Sequence, residues 1–212
     1  MADLTWHLRP PLEAHLLPPA ASTAVDIEIT PPGAFRLVQV MVRREQWDPV
    51  AKAVQQHLGA APPNAPRIIA TGPAELIWTG PGSFMAMAPE AEGLMLEGLR
   101  GALAGLASIS EQSHGACHIR LSGPGIADLM ARLVSLDLHD SAFPPGTAAR
   151  TTMDHVPVIL WRPANRADGT PCFAILVPTS YAESLLAAIA NQAKGIEMPP
   201  TRPRVLNPNL DG

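Results

Sequence analysis

The stretch HIRLSGPGIADLMARL, residues His118–Leu133, holds the local pattern on which the fold turns. It predicts a strand, a Gly-Pro-Gly turn and then a helix. Ile126, Leu129, Met130 and Leu133 recur at i, i+3, i+4 and i+7, the spacing of one face of an amphipathic helix. A glycine-rich turn between a strand and a helix is also where a dinucleotide pyrophosphate sits, on a G-x-G-x-x-G pattern. Gly123 and Gly125 supply two of those glycines, but the third position is Asp128. A carboxylate there repels a pyrophosphate, and Pro124 removes one backbone donor that would bind it. The turn is therefore expected to be architectural. Gly123 caps the helix, Pro124 takes its first position, and Asp128 faces the positive end of the helix dipole.

The flanking sequence has the same texture. FRLVQVMV, Phe35–Val42, alternates apolar and polar residues as a strand does. Asp48 and Pro49 predict a helix start, Val50, Val54 and Leu58 share its apolar face, and Gly59 closes it. Two short strands are expected around Glu75–Thr79 and Ser83–Ala88, joined by Gly-Pro-Gly, and then a helix over Glu92–Leu106. Gly98, Ala102 and Gly105 give that helix a smooth face. Either it lets another backbone approach, or it reflects an Ala/Gly-rich composition alone. Beyond the central turn, ARTTM, VPVILW and CFAILV read as strands, and a last helix starts at Ser180, where Ser180 and Glu183 have capping-box spacing. The expected fold class is α+β: duplicated β-α-β-β-α halves over about 33–106 and 107–195, each a sheet covered by helices, in a single domain spanning 33–195.

Composition narrows the function classes. Of 212 residues, 16% are charged, against ~25% in typical soluble domains. A net charge of −4 without a basic run leaves no footprint for nucleic acid or an anionic membrane. The two cysteines, Cys117 and Cys172, make no disulfide framework. No apolar leader follows Met1, and no apolar run approaches the ~18 residues of a membrane span. A cytoplasmic, reducing setting is expected. Proline is abundant at 24 residues, with six in 1–32 and four in 199–208. Residues 1–32 and 196–212 accordingly read as an extended N-terminal arm and an extended C-terminal tail. The first arm carries Leu4, Trp6, Leu8, Leu12, Leu16 and Leu17, which need a surface to lie on, either this chain's body or a partner subunit.

Catalytic patterns are hard to find. His114 and His118 are four apart, but His118 falls in a strand, where four residues span ~13 Å, too far to share a zinc ion. Ser83, in GPGSFMA, does not form G-x-S-x-G, and Ser113 is only a sequence neighbour of His114. No catalytic, cofactor-binding or metal-binding residue is expected in this chain.

The longer string EQSHGACHIRLSGPGIADLMARLVSLDLHDSAFPPGTAARTTMDHVPVILWR, Glu111–Arg162, resembles the gamma subunit of heterotetrameric sarcosine oxidase. QSHG, RLSGP, LDLHDSAFPPG, Thr151 or Thr152, and VILWR stand in that family's order, and CFAILVPTSYAESLL, Cys172–Leu186, continues it. The resemblance covers about residues 105–193, and the earlier half more loosely. Ala116 stands where an arginine is common, and Val134-Ser135 where a Cys-Pro-like pair is common. The family is in turn similar to the folate-binding fold of glycine-cleavage aminomethyltransferase, in which a Gly-Gly turn and an Asp-Asp pair enter a strand. Here Val156 and Pro157 fall about where those aspartates would be, and Asp154 is the nearby carboxylate.

The resemblance implies a retained fold and a lost chemistry. It points to a non-catalytic assembly subunit of a bacterial complex that oxidatively demethylates sarcosine or a related N-methyl amino acid. It implies partners of alpha type (large, with the NAD and folate sites), beta type (FAD) and delta type (zinc), with FMN between the first two and tetrahydrofolate as one-carbon acceptor. None of these cofactors is expected in this chain. A gamma-type subunit of a related N-methyl amino acid dehydrogenase remains open. So do a stand-alone folate-dependent aminomethyltransferase-like protein, which the missing acid pair disfavours, and a free binding module.

Overall fold

A computed structural model describes residues 25–30, 34–194 and 196. The chain runs β1 (Asp26–Thr30), β2 (Phe35–Val42), α1 (Trp47–Leu58), β3 (Ile68–Thr71), β4 (Ala74–Gly80), β5 (Ser83–Pro89), α2 (Leu94–Ala102), β6 (Ala107–Glu111), β7 (Ala116–Ser122), α3 (Ile126–Leu133), β8 (Ala148–Met153), β9 (Val156–Trp161), β10 (Cys172–Pro178) and α4 (Thr179–Ala193). The strands form two five-stranded sheets, ordered β3-β4-β5-β2-β6 and β8-β9-β10-β7-β1. The pairings within both are antiparallel. The mixed helix-and-sheet class expected from the sequence holds. Between α1 and α2, however, lie three strands rather than the two read from the sequence, while the three read between α3 and α4 are all present.

The difference lies in edge strands. β3 is only IIAT, is partly exposed, and is followed at once by Gly72-Pro73. β1 falls inside the expected N-terminal arm, yet its backbone pairs with β7 from Asp26↔Ser122 to Thr30↔His118. β6 lies between two predicted elements and pairs with β2. A short strand with one free side lacks the long alternation of a central one, which is why these three are faint in sequence. The remainder of the expected arm, and the expected tail apart from Ile196, lie outside the described residues.

Helices cover the outer face of each sheet. Val50, Val54 and Leu58 of α1 and Leu96 and Leu99 of α2 pack on Val38, Val40, Leu76, Phe84 and Ala86 of the first sheet. Ile126, Leu129, Met130 and Leu133 of α3, with Leu185, Leu186 and Ile189 of α4, cover the second. Gly59 ends α1 at φ 89°, left-handed as a glycine cap permits. At the opposite end Gln46, not Asp48, holds the N-cap position, and Asp48 lies in the first turn.

The other three helices also depart from expectation at their boundaries. α3 begins at Ile126 rather than Pro124, because Gly123, at φ 122°, first turns the chain and its carbonyl accepts the Ile126 N–H at 3.2 Å. The helix expected over 92–106 is a 3₁₀ turn at Glu90–Glu92 followed by α2, and Gly105 at φ 79° follows its end. α4 starts at Thr179 with no side-chain cap, so the Ser180–Glu183 capping box is not formed. What approaches the smooth face of α2 at Gly98 is a side chain and not another backbone: a β-carbon there would collide with the His57 ring of α1. That ring donates from Nε2 to the Met95 carbonyl at 2.7 Å. An added β-carbon at Gly101 or Gly105 would meet open space.

The two sheets face each other, giving layers in the order helix, sheet, sheet, helix. Phe35, Leu37, Ile77 and Met87 of the first meet Ala148, Trp161, Ala174 and Leu176 of the second. At one corner the sheets join directly. Ile68 donates to the Gly146 carbonyl at 2.8 Å, and Ala148 to the Pro66 carbonyl at 3.2 Å.

Candidate functional site

Period-2 alternation sends His118 and Arg120 of β7 inward, while Cys117, Ile119 and Leu121 face the outer core. The His118 ring stacks on Trp161, with centroids 5.4 Å apart and planes 8° from parallel, and meets Phe35 edge-on at 6.2 Å. Burial, and then the Arg120 charge, lower the His118 pKa to about 4, so the ring is neutral near pH 7. Glu75 of β4 is pushed upward by burial, partly offset by the Arg120 charge and the Trp161 indole. The indole N–H lies close to that carboxyl but outside hydrogen-bond geometry. His118 Nε2 and Trp161 Nε1 are both buried without a hydrogen-bond partner. Beside this group opens a cavity of about 320 Å³, lined in part by Phe35, Glu75, Met87, His118 and Arg120.

A larger cleft of about 640 Å³ lies at the other end of the sheet interface. Leu37, Met85, Ile159 and Leu176 give it apolar walls, and Arg150 lines it from the start of β8. A third hollow, about 490 Å³, runs beside α3 along Val134–Asp140. Arg162, whose side chain is 1% exposed, anchors that segment. It pairs with Asp140 at 2.7 Å, donates to the Phe143 carbonyl at 2.9 Å, and lies 5.7 Å from the Phe173 ring centroid.

The residues singled out in the sequence take structural places. Ser83 bonds Thr79 at 2.9 Å and accepts from the Gln39 amide at 3.1 Å. Ser113 is buried, accepts the Leu37 N–H at 2.8 Å, and donates to the Glu111 carboxylate. His114 lies in the β6–β7 turn, where its carbonyl accepts from the Thr179 hydroxyl at 3.0 Å. Among the described residues no three His, Cys, Asp or Glu side chains converge as a metal site. Asp154 and His155, at φ 47° and 66°, form the exposed tip of the β8–β9 hairpin. Asp128 is exposed in the first turn of α3. The sequence does not mark Glu75, His118, Arg120 and Trp161 as a group. The inward phase of HIRLS against its apolar neighbours was the available signal for two of them.

Two face-to-face antiparallel sheets with outer helices place the chain in the fold class of the aminomethyltransferases. The glycine cleavage system aminomethyltransferase T from Bartonella henselae superposes with a TM-score of 0.59 and 13% identity, over 81% of this chain and 47% of that one. A chain of the heterotetrameric sarcosine oxidase from Corynebacterium sp. U-96, in complex with pyrrole 2-carboxylate, superposes with a TM-score of 0.69 and 22% identity, over 89% of this chain and 97% of that one. The chain belongs to the sarcosine oxidase, gamma subunit family, whose profile matches residues 43–186. The sarcosine oxidase subunit gamma of Arthrobacter sp is 38% identical over 88 residues, 41% of this chain and 43% of that protein. That of Corynebacterium sp. (strain P-1) is 31% identical over 108 residues, 51% of each. The chain thus spans about half the length of the curated relatives it matches.

Proposed function

We propose that this chain is a non-catalytic assembly subunit of a bacterial heterotetrameric complex of the sarcosine oxidase type, which oxidatively demethylates sarcosine or a related N-methyl amino acid. Family membership over residues 43–186 carries the reading. The place of Asp154 supports it. This carboxylate, nearest to where an aminomethyltransferase acid pair would stand, is at an exposed hairpin tip and lines neither inter-sheet hollow. The partners are subunits of alpha, beta and delta type, which carry the NAD, FAD, FMN and zinc, with tetrahydrofolate as one-carbon acceptor. The setting is the cytoplasm. Among the described residues no helix is long and apolar enough to cross a membrane. The matching strand orders of the two sheets support an internal duplication. In this reading β1 belongs to the folded body, and residues 1–24 and 197–212 are arms that lie on partners.

The test is co-expression with candidate alpha-, beta- and delta-type chains. The chain should co-purify stoichiometrically with a complex that turns over an N-methyl amino acid, and alone it should be colourless. Deleting residues 1–24 should weaken co-purification and leave the circular dichroism of the body intact. A stoichiometric flavin spectrum in the isolated, folded chain would overturn the reading.

A further inference from the structure

The cleft of about 640 Å³ differs from the other two hollows in its charge. The smaller cavity sets Arg120 against Glu75, and the groove beside α3 sets Arg162 against Asp140. The large cleft has Arg150 and no carboxylate in its lining. Arg150 donates from Nη1 to the Thr79 carbonyl at 3.4 Å, which leaves most of its guanidinium fork unused. Among the described residues no carboxylate pairs with it. The apolar walls do not stop at the cleft. Leu37 and Gln39 line it, and the next residue on that face of β2 is Met41, 49% exposed. An apolar cleft that runs out onto an exposed apolar side chain has the form of a protein interface more than of an enclosed ligand site.

We propose that this cleft receives a segment of a partner subunit that presents a carboxylate side chain flanked by apolar residues. The carboxylate pairs with the Arg150 guanidinium, whose planar fork matches it in bidentate geometry. The apolar flanks cover Met85, Ile159 and Met41. Charge complementarity selects this partner chemistry, since a basic segment would meet Arg150 with nothing to offset it. The proposal rests on the assembly reading above.

The experiment is co-purification of the co-expressed complex with Arg150→Glu, Arg150→Gln and Ala116→Phe. The last fills the cleft from a half-buried lining position. Arg100→Glu, on the exposed surface of α2, is the charge-reversal control. Arg150→Glu should weaken association on the order of tenfold or more, Arg150→Gln less, and Ala116→Phe comparably, while Arg100→Glu assembles normally. Melting temperatures of the isolated chains identify any variant that fails by unfolding. Because Arg150 is exposed, its two variants keep the test decisive if Ala116→Phe does not fold. If Arg150→Glu assembles with wild-type affinity, the cleft is not the docking site, although the assembly reading stands. A small carboxylate ligand found in the cleft of the assembled complex by native mass spectrometry also overturns the proposal. Failure of the wild-type chain to co-purify overturns the assembly reading and this proposal with it.

Discussion

Arg162 and Asp140 form an ion pair at 2.7 Å in which one partner is almost wholly buried and the other is 76% exposed. The asymmetry sets their unequal weight. Asp140 keeps most of its hydration, so its pairing resembles a surface bridge. Arg162 also holds the Phe143 carbonyl and lies beside the Phe173 ring. Arg162→Ala is expected to cost about 3 kcal/mol through lost packing and an unpaired carbonyl, and Asp140→Ala about 1 kcal/mol. Urea unfolding of both variants checks the order; equal losses would contradict it.

His118 predicts acid sensitivity. Its folded pKa is lowered to about 4, so the unfolded chain binds the extra proton more readily. Stability from this group is therefore complete above the unfolded value near 6.5 and is lost as pH falls toward 4, by about 3 kcal/mol. Glu75 acts with the opposite sign. Its raised folded pKa contributes stability at low pH that is lost as pH rises through that value. His118→Phe, which keeps an aromatic ring on Trp161, should flatten the decline between pH 6.5 and 4, and Glu75→Gln should steepen it. Denaturant midpoints across that range supply the measurement.

Leu129 is fully buried in the α3 face and Asp128 is exposed beside it. Leu129→Ala should cost about 2–5 kcal/mol, and Asp128→Ala about 0.3–1 kcal/mol from the helix dipole. The assembled Asp128→Ala complex should keep near-normal turnover. A stable but inactive Asp128→Ala complex would instead give the turn a chemical role.

Two glycines of α2 should respond differently to alanine. Gly101 has open space where a β-carbon would go, so Gly101→Ala should stabilise by about 0.5–1 kcal/mol. Gly98→Ala must displace the His57 ring and its bond to the Met95 carbonyl, and should gain less or lose stability. Thermal unfolding of the pair distinguishes them.

The hairpin tip Asp154-His155 has two consecutive positive φ angles, a geometry that favours Asn-Gly. Replacing both residues with Asn-Gly should raise stability by about 1 kcal/mol, the scale of relieving a left-handed residue that has a side chain. An unchanged melting temperature would mean that the tip carries no such strain.

The parts legible in sequence were those whose pattern is local. FRLVQVMV alternates in phase with its two packed faces, and the Ile126–Leu133 stripe is buried at each of its expected positions. The candidate site was much less legible. Glu75, His118 and Trp161 meet only because two sheets stack, and nothing in the spacing of three distant residues encodes that. Arg162 and Asp140 both lie within the strings VILWR and LDLHDSAFPPG, yet their pairing depends on how the intervening hairpin folds back. β3 and β6 were faint for another reason: each is a short edge strand, IIAT and ASISE, whose residues are mostly only partly buried or exposed.

β1 is the first strand among the described residues but closes the edge of the second sheet, beside β7. The first sheet draws its strands from one unbroken stretch, Ile68 and its neighbours between Phe35 and Glu111, whereas the second needs a strand made roughly ninety residues before its partner. On a ribosome, β1 emerges with no mate and waits while the entire first sheet is made. Its wait ends only when β7 emerges, so synthesis itself imposes an order: the earlier sheet can close on the nascent chain, and the later one cannot close without reaching back to the beginning.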